Sequence, residues 1–194
     1  MLDKEFWDNR YKSEQTGWDI GYPSTPIKAF FDGFNNKSVS ILIPGCGRSY
    51  EAEYLFSIGF KNIHVLDISP TALNEFSART TNFPVNQLIE GDFFNHSGKY
   101  DIILEQTFFC AIDPALRPSY VEHCHSLLND AGQIVGLLFS EELNNDKPPF
   151  GGSEEEYESL FSSRFNIQTM EIAKNSIPQR ADREFFITFQ KKNV

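Results

Sequence analysis

At 194 residues the chain fits one globular domain with a single core and is short for two domains of ordinary size. A formal net charge of −10 works against a nucleic-acid partner, because affinity for a phosphate backbone comes from Lys and Arg displacing counterions. Cys46, Cys110 and Cys124 are too widely spaced for a disulfide framework or a paired zinc-ligand motif, so no metal is expected and a cytoplasmic location is.

The longest apolar stretches, Ile41 to Pro44 and Ile134 to Phe139, are of strand length, so no membrane span is expected. The segment Met1 to Arg10 mixes charges and aromatic rings and lacks the order of a secretion signal.

Asp3 to Gln15 reads as a helix, followed by a stretch punctuated by Gly and Pro to Pro26 and a short helix ending near Asn35. Both tryptophans lie here, in Phe6-Trp7-Asp8-Asn9-Arg10-Tyr11 and Gly17-Trp18-Asp19. Their faces can attract a sulfonium as they attract a quaternary ammonium, or can simply dock the helix on the core.

Val39 to Ile43 is the first clear strand, stopped by Pro44-Gly45-Cys46-Gly47-Arg48-Ser49 and followed by a helix over Tyr50 to Ile58. Glycines between strand and helix let the backbone approach a ligand closely. Tyr50 occupies the third glycine position of the dinucleotide fingerprint, and Glu51 suits a ligand ammonium better than a pyrophosphate, or serves the helix dipole.

A second strand, Ile63 to Leu66, runs into Asp67 at the spacing where a carboxylate meets a ribose diol. Its alternative role as a helix cap is already filled by Ser69, with Pro70 behind it. Gln87 to Glu90 is a weaker strand leading to Gly91-Asp92-Phe93-Phe94, where Asp92 can accept from an exocyclic amine and Phe93 can cover an adenine face.

Tyr100 to Glu105 is a strong strand. Glu105 and Gln106 are candidates for the amino-acid end of such a ligand, and Phe108 and Phe109 either wall the reactive group or belong to the core. A helix over Pro114 to Asn129, a buried strand over Gly132 to Phe139, a loop from Glu141 to Ser153 and a helix over Glu154 to Ser162 follow. Two extended segments, Phe165 to Ala173 and Glu184 to Gln190, close the chain with no helix between them.

Strand and helix in alternation, then a terminal hairpin, predict an α/β Rossmann-like domain over residues 1–194. Its sheet should be seven-stranded and mostly parallel with a C-terminal antiparallel hairpin, the class I methyltransferase arrangement.

In its Phe6-Trp7 to Trp18-Asp19 opening, Pro44-Gly45-Cys46-Gly47, Leu66-Asp67-Ile68-Ser69, and Phe108-Phe109-Cys110-Ala111-Ile112-Asp113-Pro114 with Arg117-Pro118, the chain resembles the thiopurine S-methyltransferase superfamily. The likeness is closest to its thiol, halide and thiocyanate methyltransferase branch. It implies that S-adenosylmethionine is the cofactor, that Trp7, Tyr11 and Trp18 form a lid within residues 1–26, and that Gly45, Asp67, Asp92 and Gln106 contact the cofactor. Arg117 takes the place of a family arginine after the active-site loop, with a surface ion pair as its other reading. Tyr11, Gln106 and Phe139 stand where relatives often carry Trp, Tyr or Arg, and Tyr respectively.

The implied activity is methyl transfer to a small soft nucleophile, a thiol, sulfide, halide or thiocyanate, with Phe108, Phe109, Arg117 and Phe139 near it. A sulfonium brings its own leaving group, so alignment and exclusion of water suffice, and neither a general base nor His64, His96, His123 or His125 is required. The competing readings are an N- or O-methyltransferase of a small metabolite and a binding module that has lost catalysis.

Overall fold

The computed structural model describes residues 2–193. Its sheet has seven strands in the order β3-β2-β1-β4-β5-β7-β6. In chain order they are β1 (Ile41–Pro44), β2 (Ile63–Asp67), β3 (Leu88–Glu90), β4 (Tyr100–Gln106), β5 (Leu128–Phe139), β6 (Phe165–Ile172) and β7 (Glu184–Lys191). The first five pair in parallel, β7 runs antiparallel to β5, and β6 runs antiparallel to β7. The expected seven-stranded sheet with its terminal hairpin is therefore present.

The helices are α1 (Lys4–Lys12), α2 (Thr25–Asp32), α3 (Tyr50–Ser57), α4 (Pro70–Arg79), α5 (Arg117–Leu127) and α6 (Glu154–Phe161). Alternation along the strands sends Ile41, Ile43, Val65 and Leu104 to one face, where Phe31, Leu55 and Phe76 from α2, α3 and α4 cover them. Leu42, Leu66, Ile103 and Ile134 point the other way, onto Tyr120 of α5 and Phe161 of α6. Both faces are closed, which is why the central strands read as continuous apolar runs.

Two boundaries differ from the expectation for physical reasons. The helix expected over Pro114 to Asn129 splits into a 3-10 turn, Pro114–Leu116, capped by Asp113, and α5, which begins at Arg117 with Pro118 in its first turn. Proline lacks the N–H that a helix interior needs and fits where that donor is unpaired anyway. Strand β5 starts at Leu128 rather than Gly132, with a register shift against β4 between Tyr100 and Ile102 that accommodates the extra length. No described helix is long and apolar enough to cross a membrane.

Candidate active site

The strands that run in parallel end on one edge of the sheet, and the turn after β1 forms the floor there. Gly45 and Gly47 have φ of +56° and +54°, a region closed to most side chains. Space is lacking as well: a Cβ on Gly45 would lie 2.2 Å from Cδ2 of Phe108, and one on Gly47 would lie 2.6 Å from the Tyr11 hydroxyl.

Asp67 closes β2 beside this turn. Its Oδ2 accepts from the Gly47 N–H at 2.7 Å and its Oδ1 from the Ser69 N–H at 2.8 Å, which leaves lone pairs on both oxygens for a ligand. Burial pushes the carboxyl up to about 6, against the lowering effect of the N–H groups of Ser69, Gly47 and Ile68. Ser69 caps α4 by accepting from the Ala72 N–H, as its place before Pro70 predicts.

The amino-terminal rings gather over the glycine turn. Trp18 meets Trp7 and Tyr11 edge to face, with centroid distances of 5.7 and 5.9 Å. Arg48, on the turn itself, holds the segment behind Trp18 by donating to Asp19 at 2.8 Å and to Thr16 at 3.0 Å, while its Nε reaches Glu75 of α4 at 2.5 Å. From the far side Arg180, in the β6–β7 connection, donates to the Trp18 carbonyl at 2.7 Å.

Beneath these rings lies a cleft, partly open to solvent, lined by Tyr11, Trp18, Asp19, Gly45, Gly47, Ser49, Glu51, Gln106 and Thr107 among others. A second, smaller space shares Gln106 and Thr107 with it and has Phe109, Cys110, Phe139, Tyr157 and Glu184 on its other walls. Oε1 of Gln106 and Oγ of Ser49 are buried without a hydrogen-bond partner, and such orphaned groups are costly unless a ligand supplies the missing bond. Thr107, between the two spaces, holds φ of +58°, a strained conformation for a β-branched residue.

The residues selected from sequence therefore separate. Tyr11, Trp18, Gly45 and Gln106 line the cleft, with Phe108 half-buried over Gly45; Trp7 packs on Trp18 and Asp67 holds the Gly47 N–H, and neither lines it. Asp92 is exposed and accepts from the Phe94 N–H, capping a 3-10 turn after β3. Phe93 is only 2% exposed and packs against Phe108, Tyr120 and His123. Phe109 is a core ring whose edge reaches the smaller space, and Phe139 lines that space directly.

Two expectations need correction. Glu105, paired with Gln106 as a ligand contact, turns inward. It is 1% exposed, its Oε1 accepts from the N–H groups of Phe108 and Phe109 at 2.8 Å, and its Oε2 accepts from the Tyr120 hydroxyl at 2.6 Å. Adjacent residues on a strand face opposite sides of the sheet, so only one of the pair can look into the cleft. The surface ion pair offered for Arg117 is a buried one. At 4% exposure it bonds Glu156 at 2.5 Å and the Gly151 carbonyl at 2.8 Å and stacks on Phe109, and it lines neither space.

Sequence reading passed over Ser49, Thr107, Arg48 and Arg180. Arg48 and Ser49 sit inside the glycine motif and were within reach of a reading that asked what each non-glycine member does. Arg180 could not have been found, since only the hairpin's return brings it to Trp18.

The sheet order and the terminal hairpin are those of class I methyltransferases. Solved structures of the same fold include magnesium protoporphyrin IX methyltransferase from Synechocystis PCC 6803 with bound S-adenosylhomocysteine, at a TM-score of 0.76 and 13% identity over 98% of this chain and 100% of that one. Another is the Burkholderia thailandensis 1,6-didemethyltoxoflavin-N1-methyltransferase, at a TM-score of 0.77 and 15% identity over 98% of this chain and 87% of that one.

Residues 2–192 match the family described as Thiopurine S-methyltransferase, and the chain belongs to that family; it is an S-adenosylmethionine-dependent methyltransferase. Similar proteins are the probable thiol methyltransferase 2 of Arabidopsis thaliana, 29% identical over 79% of this chain and 70% of that protein, and thiocyanate methyltransferase 1 of the same plant, 26% identical over 96% and 85%. The thiopurine S-methyltransferase of Vibrio campbellii is 30% identical over 83% of this chain and 82% of that protein.

Proposed function

We propose that the chain transfers a methyl group to a small soft nucleophile, a thiol, sulfide, halide or thiocyanate, held in the smaller space against Cys110 and Phe139. The cleft fits the cofactor on chemical grounds. It offers a glycine cradle and an orphaned acceptor at Gln106 suited to an ammonium group, and Asp67, which holds the Gly47 N–H behind that cradle, keeps spare lone pairs. In this reading Asp67 takes the ribose hydroxyls, Gln106 and Glu51 face the amino-acid end, and Asp92 meets the adenine amine while Phe93 supports that end from beneath. Trp7, Tyr11 and Trp18 cover the sulfonium, which supplies an activated methyl group when the cofactor is bound.

The observation that carries the acceptor class is the shared lining of Gln106 and Thr107 between the cleft and a smaller space whose one carboxylate is already engaged. Glu184, the one carboxylate on its lining, accepts from Ser176 at 2.9 Å and pairs with Arg180 at 3.4 Å. An alcohol would need proton removal during attack, whereas a thiolate, sulfide or halide would not. The chain's task is then to align the acceptor and exclude water. The relatives named for thiol and thiocyanate methylation support this choice.

Turnover with labelled cofactor on a panel of thiols, sulfide, iodide, thiocyanate, thiopurines, amines and phenols tests it. Transfer confined to the sulfur and halide acceptors is expected, and transfer only to amines or phenols would overturn it.

A further inference from the structure

The amino-terminal helix is tied to the start of α4 through a buried carboxylate with no part in the proposed methyl transfer. Asp8 of α1 is 6% exposed, and its Oδ1 accepts from the Ser69 hydroxyl at 2.8 Å and from the Thr71 N–H at 3.0 Å. Its Oδ2 pairs with Lys12, one helical turn on, at 2.6 Å. Ser69 is the residue whose backbone N–H is held by Asp67 at 2.8 Å. One serine is therefore gripped from two sides, by a lid carboxylate on its hydroxyl and by the β2 carboxylate on its backbone.

This arrangement is stable where an isolated pair of acids would not be. The N-terminus of α4 presents unpaired N–H groups and the positive end of the helix dipole, both favourable to an anion, and Lys12 balances the charge from the solvent side. Burial raises the Asp8 carboxyl, but the bonds from Lys12, Ser69 and Thr71 outweigh it and hold the group well below its ordinary range. Asp8 thus stays charged at neutral pH and adds to the upward push on Asp67.

We infer that Asp8 is a positioning residue that couples the lid to the cofactor carboxylate: docking α1 on Ser69 and Thr71 fixes the turn that orients Asp67. Asp67 is then set for a ribose diol only when the lid helix is seated. The inference rests on the proposed role of Asp67 and adds a residue through which the lid acts at a distance from its aromatic rings.

The test is binding of S-adenosylhomocysteine to the full chain across the pH range around 6, followed by calorimetry and tryptophan fluorescence. Asp8→Asn is expected to weaken binding about tenfold at neutral pH, the scale of a lost hydrogen-bonded charge, and to raise KM for the cofactor more than it lowers kcat. Wild-type affinity should fall as Asp67 takes up its proton. The groups facing Asp67 are Asp8 and Tyr11 from α1 and Cys46 from the turn.

Removing the Asp8 charge eases ionisation of Asp67, so the midpoint of that fall should move to lower pH. Lys12→Met, at an exposed position, leaves Asp8 uncompensated and should move it to higher pH even if Asp8→Asn does not fold. A residue that only braced the fold would weaken binding at every pH and leave both midpoints in place, and that result would overturn the inference, as would Asp8→Asn binding within about twofold of wild type. If wild type itself failed to bind S-adenosylhomocysteine, the assignment of the cleft would fall instead.

Discussion

Asp67 and Glu105 stand near the ends of the two strands that flank β1, both buried and both pushed upward by that burial, to about 6 and about 7. They differ in what the protein takes from them. Glu105 accepts from two backbone N–H groups and a tyrosine hydroxyl, all within the loop after β4 and the helix covering it, so its carboxylate is a clamp that shapes the wall at Phe108 and Phe109. Asp67 accepts from backbone N–H groups, at Gly47 and Ser69 above all, and those bonds pin the turns on either side while leaving acceptor capacity. An acid at a strand end is therefore no mark of ligand binding by itself. The number of its lone pairs the fold consumes distinguishes a brace from a binding group.

The sharpest way to break that distinction is to remove each carboxylate. Glu105→Ala leaves three buried donors without partners, at about 1–3 kcal/mol each where water cannot reach them, so a loss of at least roughly 3 kcal/mol is expected in denaturant unfolding. A change under about 1 kcal/mol would show that the loop does not depend on the clamp. Asp67→Ala should reverse the balance. Affinity for S-adenosylhomocysteine should weaken by about 1.5–3 kcal/mol in calorimetry, while the unfolding free energy changes less than in Glu105→Ala. Equal affinity for wild type and variant would remove Asp67 from the site.

A third effect is a pH dependence. A carboxyl raised in the folded state binds its proton more readily there than in the unfolded chain. Its contribution to stability is full below the unfolded value and is lost as pH rises through the folded one. For Glu105 that loss should be complete above about 7. The stability of wild type relative to Glu105→Gln should therefore decline between about pH 5 and about pH 8. His64 and His96, lowered by burial, act in the opposite sense, but they are present in both proteins and drop out of the difference. A flat difference would mean that Glu105 is ionised as readily inside as outside.

The local geometry of the candidate site was partly legible in the sequence. The glycine turn could be read because a strand that stops at Pro44-Gly45 has few other uses for two glycines. Asp67 could be read because Ser69-Pro70 had already claimed the cap. The aromatic cluster at the amino end could be read because both tryptophans fall within the first 18 residues. By contrast, Glu105 and Gln106 look alike in sequence, and Arg117 carries no sign of whether it faces solvent, core or ligand.

Local chemistry determined the elements and their order: β-branched runs make strands, Ser-Pro opens a helix, glycine permits a left-handed turn, and two strands without a helix between them must return antiparallel. These are short-range effects of sterics and backbone hydrogen bonding, so neighbouring residues suffice to specify them. Tertiary structure alone decided which lone pairs remain free, because that depends on donors brought in from afar. Tyr120 reaches Glu105 from α5, Gly47 reaches Asp67 from the turn after β1, Ser69 meets Asp8 of α1, and Arg180 returns from the last hairpin to hold Trp18.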